Sequence, residues 1–568
     1  MALHSLLLQR RFPGLLLFLF LEELVSLRLR ALVVLCVSLL ASLAFSAPSP
    51  AAASPKLHAP KLIVFIAVDQ MRADYLERFA AYEKGGLHYF HQEGAVFANA
   101  NYHHIPTETG PGHSILLSGR NPAHTGIVAN EWYDRGSRAM VYCVADPAAP
   151  LLASADGPNA GPGVSPRNFL GVGLGDQLQR AYPQARVYSI SLKDRAAVLM
   201  GGRRPTAAFW FSTSSGDFTS SHYYFPALPN WVEDFDRTHA AASFAGKPWD
   251  LLLGAASPAY PHADHPFLHV MPDAVGPRLY SSVFASPFGD EILEKFAEHL
   301  IRKQKLGTGA EPDLLAISFS SNDAIGHGYG PDSPELADEQ LRLDRTIGHL
   351  VEFVNQRLGV NNVLWALSAD HGVQPLPEAE RALRHNIAAE RIPPAAMIAA
   401  VDDQLGRIFH QPANFHWLAG TADSMLYLDR ANLAAHGISI NAVGRALATR
   451  VHAPGIAHFY PASEVAHVPN PAGGFLRNSY VPGRSGDVYA VAREWTLLSA
   501  YPTGTSHGTI YPYDTHVPLV LAGDGILPMR ITTPVHVTDL APTLAALVGI
   551  PWRTDEAESQ SRATLIRH

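Results

Sequence analysis

Apolar positions along the chain gather into short unbroken runs, separated by longer stretches in which apolar and polar residues alternate at helical spacing. This is the pattern of a layered α/β fold. Four runs stand out: Leu62 to Val68, Val187 to Leu192, Leu314 to Ser320 and Val363 to Ser368. Continuous apolar runs of this length suit parallel strands buried on both faces. A polar group follows each one: Asp69, then Lys193-Asp194-Arg195, then Asp323, then Asp370-His371. Sites in open α/β sheets gather outside the carboxyl ends of the strands, so the four endings converge on one rim. A lone Asp after a strand is usually a helix cap or turn residue. Four such endings together point to chemistry.

The segment from Tyr102 to Val128 adds a helix start. Pro106 precedes Thr107-Glu108-Thr109, and Gly110-Pro111-Gly112 leads into apolar Ile115, Leu116 and Leu117. Proline fits the first turn of a helix because its missing N–H would be unpaired there. Thr109 then lies at the amino end, where exposed N–H groups and the dipole favour an anion. Residues 339–358 read as an amphipathic helix with its charges on a solvated face, and 537–551 as a closing helix followed by a polar tail. Gly171, Gly173 and Gly175 imitate a phosphate loop but lack its spacing and precede a strand, so they read as a turn entering a helix.

Composition narrows the function. The 568 residues leave room for three to four domain-sized units. A net charge of −8 from 43 basic and 51 acidic residues, with no basic run, argues against a nucleic-acid partner. Histidine, at 28, prompts a search for metal chemistry. Of two cysteines, Cys143 lies in the body of the chain and Cys36 in an apolar run from Ala31 to Phe45. That run follows Arg28 and Arg30, precedes small residues, and reads as a cleaved secretory signal that leaves no stable membrane span. The chain has no Asn-x-Ser/Thr sequon, which leans toward a bacterial periplasm.

Six motifs taken together are specific: VDQMR at 68–72, PTETGPGH at 106–113, SLKDR at 191–195, SNDAIGH at 321–327, SADHG at 368–372 and GTSHGTIYPYDTHVPLVLAG at 504–523. The set resembles the alkaline phosphatase superfamily. Within it the likeness is to phosphate-irrepressible-type alkaline phosphatases, which are related to the nucleotide pyrophosphatase/phosphodiesterases. The resemblance implies an α/β sandwich with a central, mainly parallel sheet flanked by helices, plus cap insertions. Its domain plan is a leader at 1–46, a Pro/Ala/Ser linker at 47–60, core segments at 61–202, 305–374 and 485–555, cap insertions at 203–304 and 375–484, and a tail at 556–568.

By the same resemblance the chain takes two zinc ions. One would be held by Asp323, His327 and His507, the other by Asp69, Asp370 and His371, with Thr109 completing the second site as nucleophile. Asp and His are suitable oxygen and nitrogen ligands for zinc. Asn130, Lys193 and Arg195 would meet the non-bridging phosphoryl oxygens. Lys193 and Arg195 alternate along an extended chain and can face one ligand while Asp194 points away as a structural partner. A Lys/Arg clamp complements a phosphate monoester better than a diester, so the expected activity is monoester hydrolysis through a phosphothreonine, with weak diesterase activity. The alternative is a nucleotide pyrophosphatase/phosphodiesterase-like diesterase. A sulfatase is disfavoured, since no Cys-x-Pro-x-Arg stretch exists. His103, His104 and His113 are read as packed, not ligating; Asp514 and His516 brace the loop after His507. Substrates are expected to be phosphorylated small molecules, and the chain a monomer.

Overall fold

In a computed structural model describing residues 59–153, 161–262, 266–383, 389–552 and 559–567, the apolar runs become the middle of one sheet. Its strands are β1 (Leu62–Val68), β2 (Ala95–Phe97), β3 (Val187–Ser191), β4 (Ala207–Phe211), β5 (Phe218–Thr219), β6 (Asp313–Phe319), β7 (Val363–Ser368), β8 (Leu519–Gly523) and β9 (Met529–Ile531). They lie in the order β9-β2-β8-β7-β1-β6-β3-β4-β5. The five consecutive strands from β7 to β4 are parallel. β8 runs antiparallel to both of its neighbours, and β5 antiparallel to β4. This is the mainly parallel sheet flanked by helices that the motifs implied. The leader and all but the last two residues of the linker lie outside the described residues.

Register explains why the polar endings meet. Ala67 of β1 pairs with Ser318 of β6 and Ser368 of β7, and Ser318 pairs with Ser191 of β3. Four strand ends therefore stop in one row, and the residues after them share the carboxyl rim. The small side chains at these ends also bond across the row: Ser191 Oγ donates to the Ser318 carbonyl at 3.0 Å.

Three expectations need correction. Residues 203–304 were expected as a cap, yet Ala207–Phe211 is buried throughout and extends the sheet beside β3. Its aromatic content is core packing, with Phe209 against Phe225, Trp231 and Phe296 and Phe218 stacked on Phe296 at 3.8 Å between ring centres. The expected insertion at 375–484 needs no such correction: Leu418–Ala422, Met425–Leu428 and Ile456–Pro461 join Val488–Ala492 in a four-stranded sheet separate from the central one. The second correction concerns the tail at 556–568, which was expected to be polar. Its last turn, Ala563–Ile566, packs inward with Ile566 fully buried.

The third concerns the amphipathic helix. It starts earlier, at Pro334 after a Ser333 cap, and Glu335, Asp338, Glu339, Gln340 and Asp344 on it are buried rather than solvated. Two of them accept from N–H and O–H groups of segments packed on the helix. Asp338 accepts from Trp249 Nε1, Leu252 N and Tyr260 OH, and Asp344 from the N–H groups of Lys84, Gly85 and His88. These carboxylates satisfy orphan donors, including those at the start of the helix Gly86–Glu93.

Glu83, 2% exposed beside that start, has no such donors among the described residues. Burial first, then the Asp344 charge, pushes its carboxyl up to about 9. A carboxyl raised in the folded state contributes stability that is full below its unfolded pKa and is lost as pH rises through the folded value, at up to about 1.4 kcal/mol per pH unit. Glu83→Gln removes this ionisation. The variant should therefore melt near the parent temperature at pH 5 and above it at pH 9. Equal melting differences at the two pH values, measured by circular dichroism, would contradict the assignment.

Candidate active site

Each site residue is set by the element behind it. Asp69 follows β1 and its N–H donates to the Phe319 carbonyl of β6 at 2.9 Å. Asp323 and His327 are four residues apart on the helix Ser321–Tyr329, so both project from one face. Asp370 and His371 follow β7. Thr109 opens the helix Thr109–Leu116 as expected and is 1% exposed. That helix lies hard against the Asp370 loop, where a Cβ on Gly112 would sit 2.2 Å from the Asp370 carbonyl oxygen. Only glycine fits there, and the contact fixes Thr109 relative to Asp370.

His507 comes from the irregular segment before β8. Its Nδ1 donates to the Thr107 carbonyl at 2.7 Å, His327 Nδ1 to the Thr505 carbonyl at 2.8 Å, and His371 Nδ1 to the Gly372 carbonyl at 2.9 Å. A carbonyl only accepts, so all three rings carry hydrogen on Nδ1 and aim Nε2 inward. There Nε2 of His327 and of His507 lie 3.2 and 3.8 Å from Asp323 Oδ1. Nε2 of His371 lies 3.3 Å from Asp370 Oδ2 and 3.6 Å from Asp69 Oδ1.

An imidazole lone pair facing a carboxylate is stable only with a cation between them, a proton or a metal ion. Burial, reinforced by neighbouring imidazoles, drives His507 well below its ordinary pKa, and burial also lowers His371 against the pull of Asp370 and Asp323. Protons are thus disfavoured on these two rings, while Asp323 raises His327. Asp69 Oδ1 and Nε2 of His371 are buried with no hydrogen-bond partner among the described residues. Among the described residues, three sets of side chains bring ligand atoms within 4.8 Å of one another: Asp323, His327 and His507; Asp69, Asp323 and His371; and Asp69, His113 and Asp370. Donor type, ring orientation and orphaned buried atoms all fit divalent metal ions.

Lys193 supplies part of the charge. Its Nζ lies 2.7 Å from Asp69 Oδ2 and 2.5 Å from Asp323 Oδ2, bridging carboxylates that follow two neighbouring strands. Burial would lower the ammonium pKa, but Asp323 and Asp69 outweigh it and raise it. Burial likewise pulls Asp323 upward, yet His327, Lys193 and His507 hold it well below the carboxylate range. Asp69 goes the other way, raised by burial and by Asp370. Arg195 reaches Thr109, with Nη2 3.4 Å from Oγ1. The Tyr142 hydroxyl donates to Asp194 and meets Arg195 Nη1 at 3.5 Å, so Asp194 serves as a brace for the Arg195 segment. Asn130 Oδ1 accepts the Gly110 N–H at 2.7 Å.

All ten sequence-predicted site residues are thus placed about one rim. Sequence reasoning missed Gln70, whose N–H donates to Asp370 Oδ1 at 3.1 Å and whose Nε2 donates to Asp323 Oδ1 at 2.7 Å. Its signal was its place in the VDQMR run. His113 lies 3.0 Å from Asp370 Oδ2, but its ring is engaged by the Thr109 carbonyl and Ser318 Oγ, both at 2.9 Å. It braces the helix start. Asp514 accepts from Thr509 N and Oγ1, and His516 Nε2 donates to the Ala98 carbonyl, both away from the clusters.

Comparison with known proteins matches residues 63–516 to the family described as type I phosphodiesterase / nucleotide pyrophosphatase. The chain belongs to that family. Within the type I phosphodiesterase / nucleotide pyrophosphatase family it is similar to the alkaline phosphatase PafA of Elizabethkingia meningoseptica, at 29% identity over 87% of this chain and 92% of the relative. It is 31% identical to the alkaline phosphatase PhoD of Zymomonas mobilis over 90% of each chain. The crystal structure of wild-type PafA superposes with a TM-score of 0.81 at 28% identity, covering 90% of this chain and 100% of that one. The membership agrees with the superfamily that the six motifs pointed to. Among the described residues no helix is long and apolar enough to cross a membrane.

Proposed function

We propose that this chain is a metal-dependent phosphoric monoester hydrolase of the alkaline phosphatase type, exported to the periplasm, in which Thr109 is the nucleophile and weak diesterase activity accompanies the main reaction. The observation that carries the proposal is the inward aim of three Nδ1-protonated imidazoles toward three buried carboxylates, next to a threonine at a helix start. Asp323, His327 and His507 would hold one zinc ion, and Asp69, Asp370, His371 and Thr109 a second. Two such ions would stabilise charge on the attacking and departing oxygens of an in-line displacement.

The side chains account for the rest. Thr109 Oγ1 releases its hydroxyl proton to solvent and forms a bond to phosphorus as the ester P–O bond breaks, and the alcohol leaves with that electron pair and takes a proton from solvent. Water then attacks the phosphothreonine, the Thr109 O–P bond breaks, and the threonine hydroxyl regains a proton as inorganic phosphate departs. Arg195, beside Oγ1, donates to the non-bridging oxygens of the transferring group, whose charge is spread across them. Asn130 donates to the same oxygens from the side-chain nitrogen that faces away from Gly110. Lys193 holds Asp69 and Asp323 together and adds positive charge below the phosphoryl group.

A monoester offers three non-bridging oxygens and up to two charges, which the Lys193/Arg195 pair complements; a diester puts a second substituent in that space. Arg195→Ala should lower kcat/KM for an aryl phosphate monoester about 100-fold, the scale of a lost hydrogen bond to a charged group. It should lower diester turnover by less than about tenfold, and Lys193→Ala should also lower monoester turnover. If the diester is the better substrate and both variants keep the parent's monoester turnover, the diesterase reading replaces this one.

A further inference from the structure

Asn130 is tied at two points to the residues flanking the nucleophile. Its side-chain Oδ1 accepts the Gly110 N–H, and its own backbone N–H donates to Glu108 Oε2, each at 2.7 Å. A backbone N–H only donates, so Oδ1 faces Gly110 and the amide nitrogen Nδ2 turns to the other side. Glu108 immediately precedes Thr109 in sequence. One carboxylate therefore couples the start of the nucleophile's helix to the asparagine backbone.

Glu108 does not stand alone. Burial and the Glu108 charge raise the Asp423 carboxyl well above its ordinary pKa, so it keeps its proton and donates it to the Glu108 carboxylate, on which Arg195 also acts electrostatically. Asp423 and Ser424 form the tip between Leu418–Ala422 and Met425–Leu428, since Ala422 pairs with Met425. Asp423 adopts φ 46°, a left-handed conformation that is unfavourable for a non-glycine residue. Such strain persists only where surroundings fix it. Here they do: a Cβ on Gly508 would lie 2.7 Å from Asp423 Oδ2, and one on Gly420 would lie 3.2 Å from Tyr133 Cδ2. Trp132, Ala422, Met425 and Tyr427 share a buried cluster, so the hairpin is packed onto the strand Glu131–Asp134 that directly follows Asn130.

We infer that Glu108 is a positioning residue for Asn130, and that Asp423, reaching in from the 375–484 stretch, holds Glu108 in place. This rests on the phosphatase reading above. Glu108 acts on Asn130 through the backbone, setting where the Asn130 amide meets a non-bridging phosphoryl oxygen. Monoesters and diesters both carry such oxygens, so the device serves turnover of either and does not select between them.

The test is a double-mutant cycle on aryl phosphate hydrolysis, with thermal melting to confirm that each variant is folded. Glu108→Ala should lower kcat/KM about tenfold in the parent and less than about twofold in an Asn130→Ala background. Glu108→Gln keeps a carbonyl acceptor for the Asn130 N–H and should recover most of the loss. Asp423→Ala, at the exposed hairpin tip, should lose about threefold, and nothing further once Glu108 is alanine. A parent that hydrolyses the ester with an equal Glu108→Ala loss in both backgrounds, or with no loss in either, overturns the positioning role and leaves the phosphatase reading intact. A parent that hydrolyses no phosphate ester overturns both.

Discussion

Thr109→Ala should lower aryl phosphate hydrolysis by at least about 10⁴-fold, the scale on which removing a nucleophile reduces turnover in enzymes that use covalent catalysis. The expectation follows from position. Thr109 is the first residue of its helix, is 1% exposed, and meets Arg195 at 3.4 Å through its hydroxyl. No other hydroxyl among the described residues is both this close to the half-buried Arg195 guanidinium and held against the Asp370 loop by a glycine contact. Loss of a hydroxyl and a methyl at this site leaves the fold intact, so circular dichroism should match the parent. Thr109→Ser keeps the oxygen and should retain measurable turnover. Steady-state rates on the purified variants decide it, and a Thr109→Ala rate within tenfold of the parent would exclude threonine as the nucleophile.

Stripping metal with a chelator should remove at least about 10³-fold of the activity, and zinc should restore it. The same treatment should lower the melting temperature. Asp69, Asp323 and Asp370 are buried together, with Lys193 paired to Asp69 and Asp323 and two imidazoles whose protonation burial opposes. Uncompensated charge at such a site costs several kcal/mol per ion. Bound cations that favour the folded state contribute stability in proportion to their occupancy. Melting curves with and without chelator check the second half: unchanged melting and unchanged turnover would show that the carboxylates need no metal.

How much of this was legible in sequence depends on the length of the signal. The apolar strands β1, β6 and β7 were read to within a residue because burial on both faces leaves an unbroken apolar run. The Asp and His residues after them followed from the same runs, since strand ends in register must share a rim. His507 and Asn130 came only from family likeness, because both sit in irregular segments without periodicity. β4 was misplaced into a cap: its AAFWF sequence is apolar, but it lies in an aromatic-rich stretch whose neighbours do not alternate. The helix from Pro334 misled in the opposite sense, since buried acids that serve distant loops look like a solvated face when only the local sequence is read. Gln70 and the Glu108–Asp423 contact depend on a left-handed turn and on a hairpin more than 300 residues away, and neither leaves a local pattern.

Element-specific anomalous diffraction from crystals of the purified protein is the measurement closest to the core of the account. Two zinc peaks per chain are expected, one bounded by Asp323, His327 and His507 and the other by Asp69, Asp370, His371 and the Thr109 oxygen. Crystals of an active enzyme showing no metal within reach of Thr109 would contradict it.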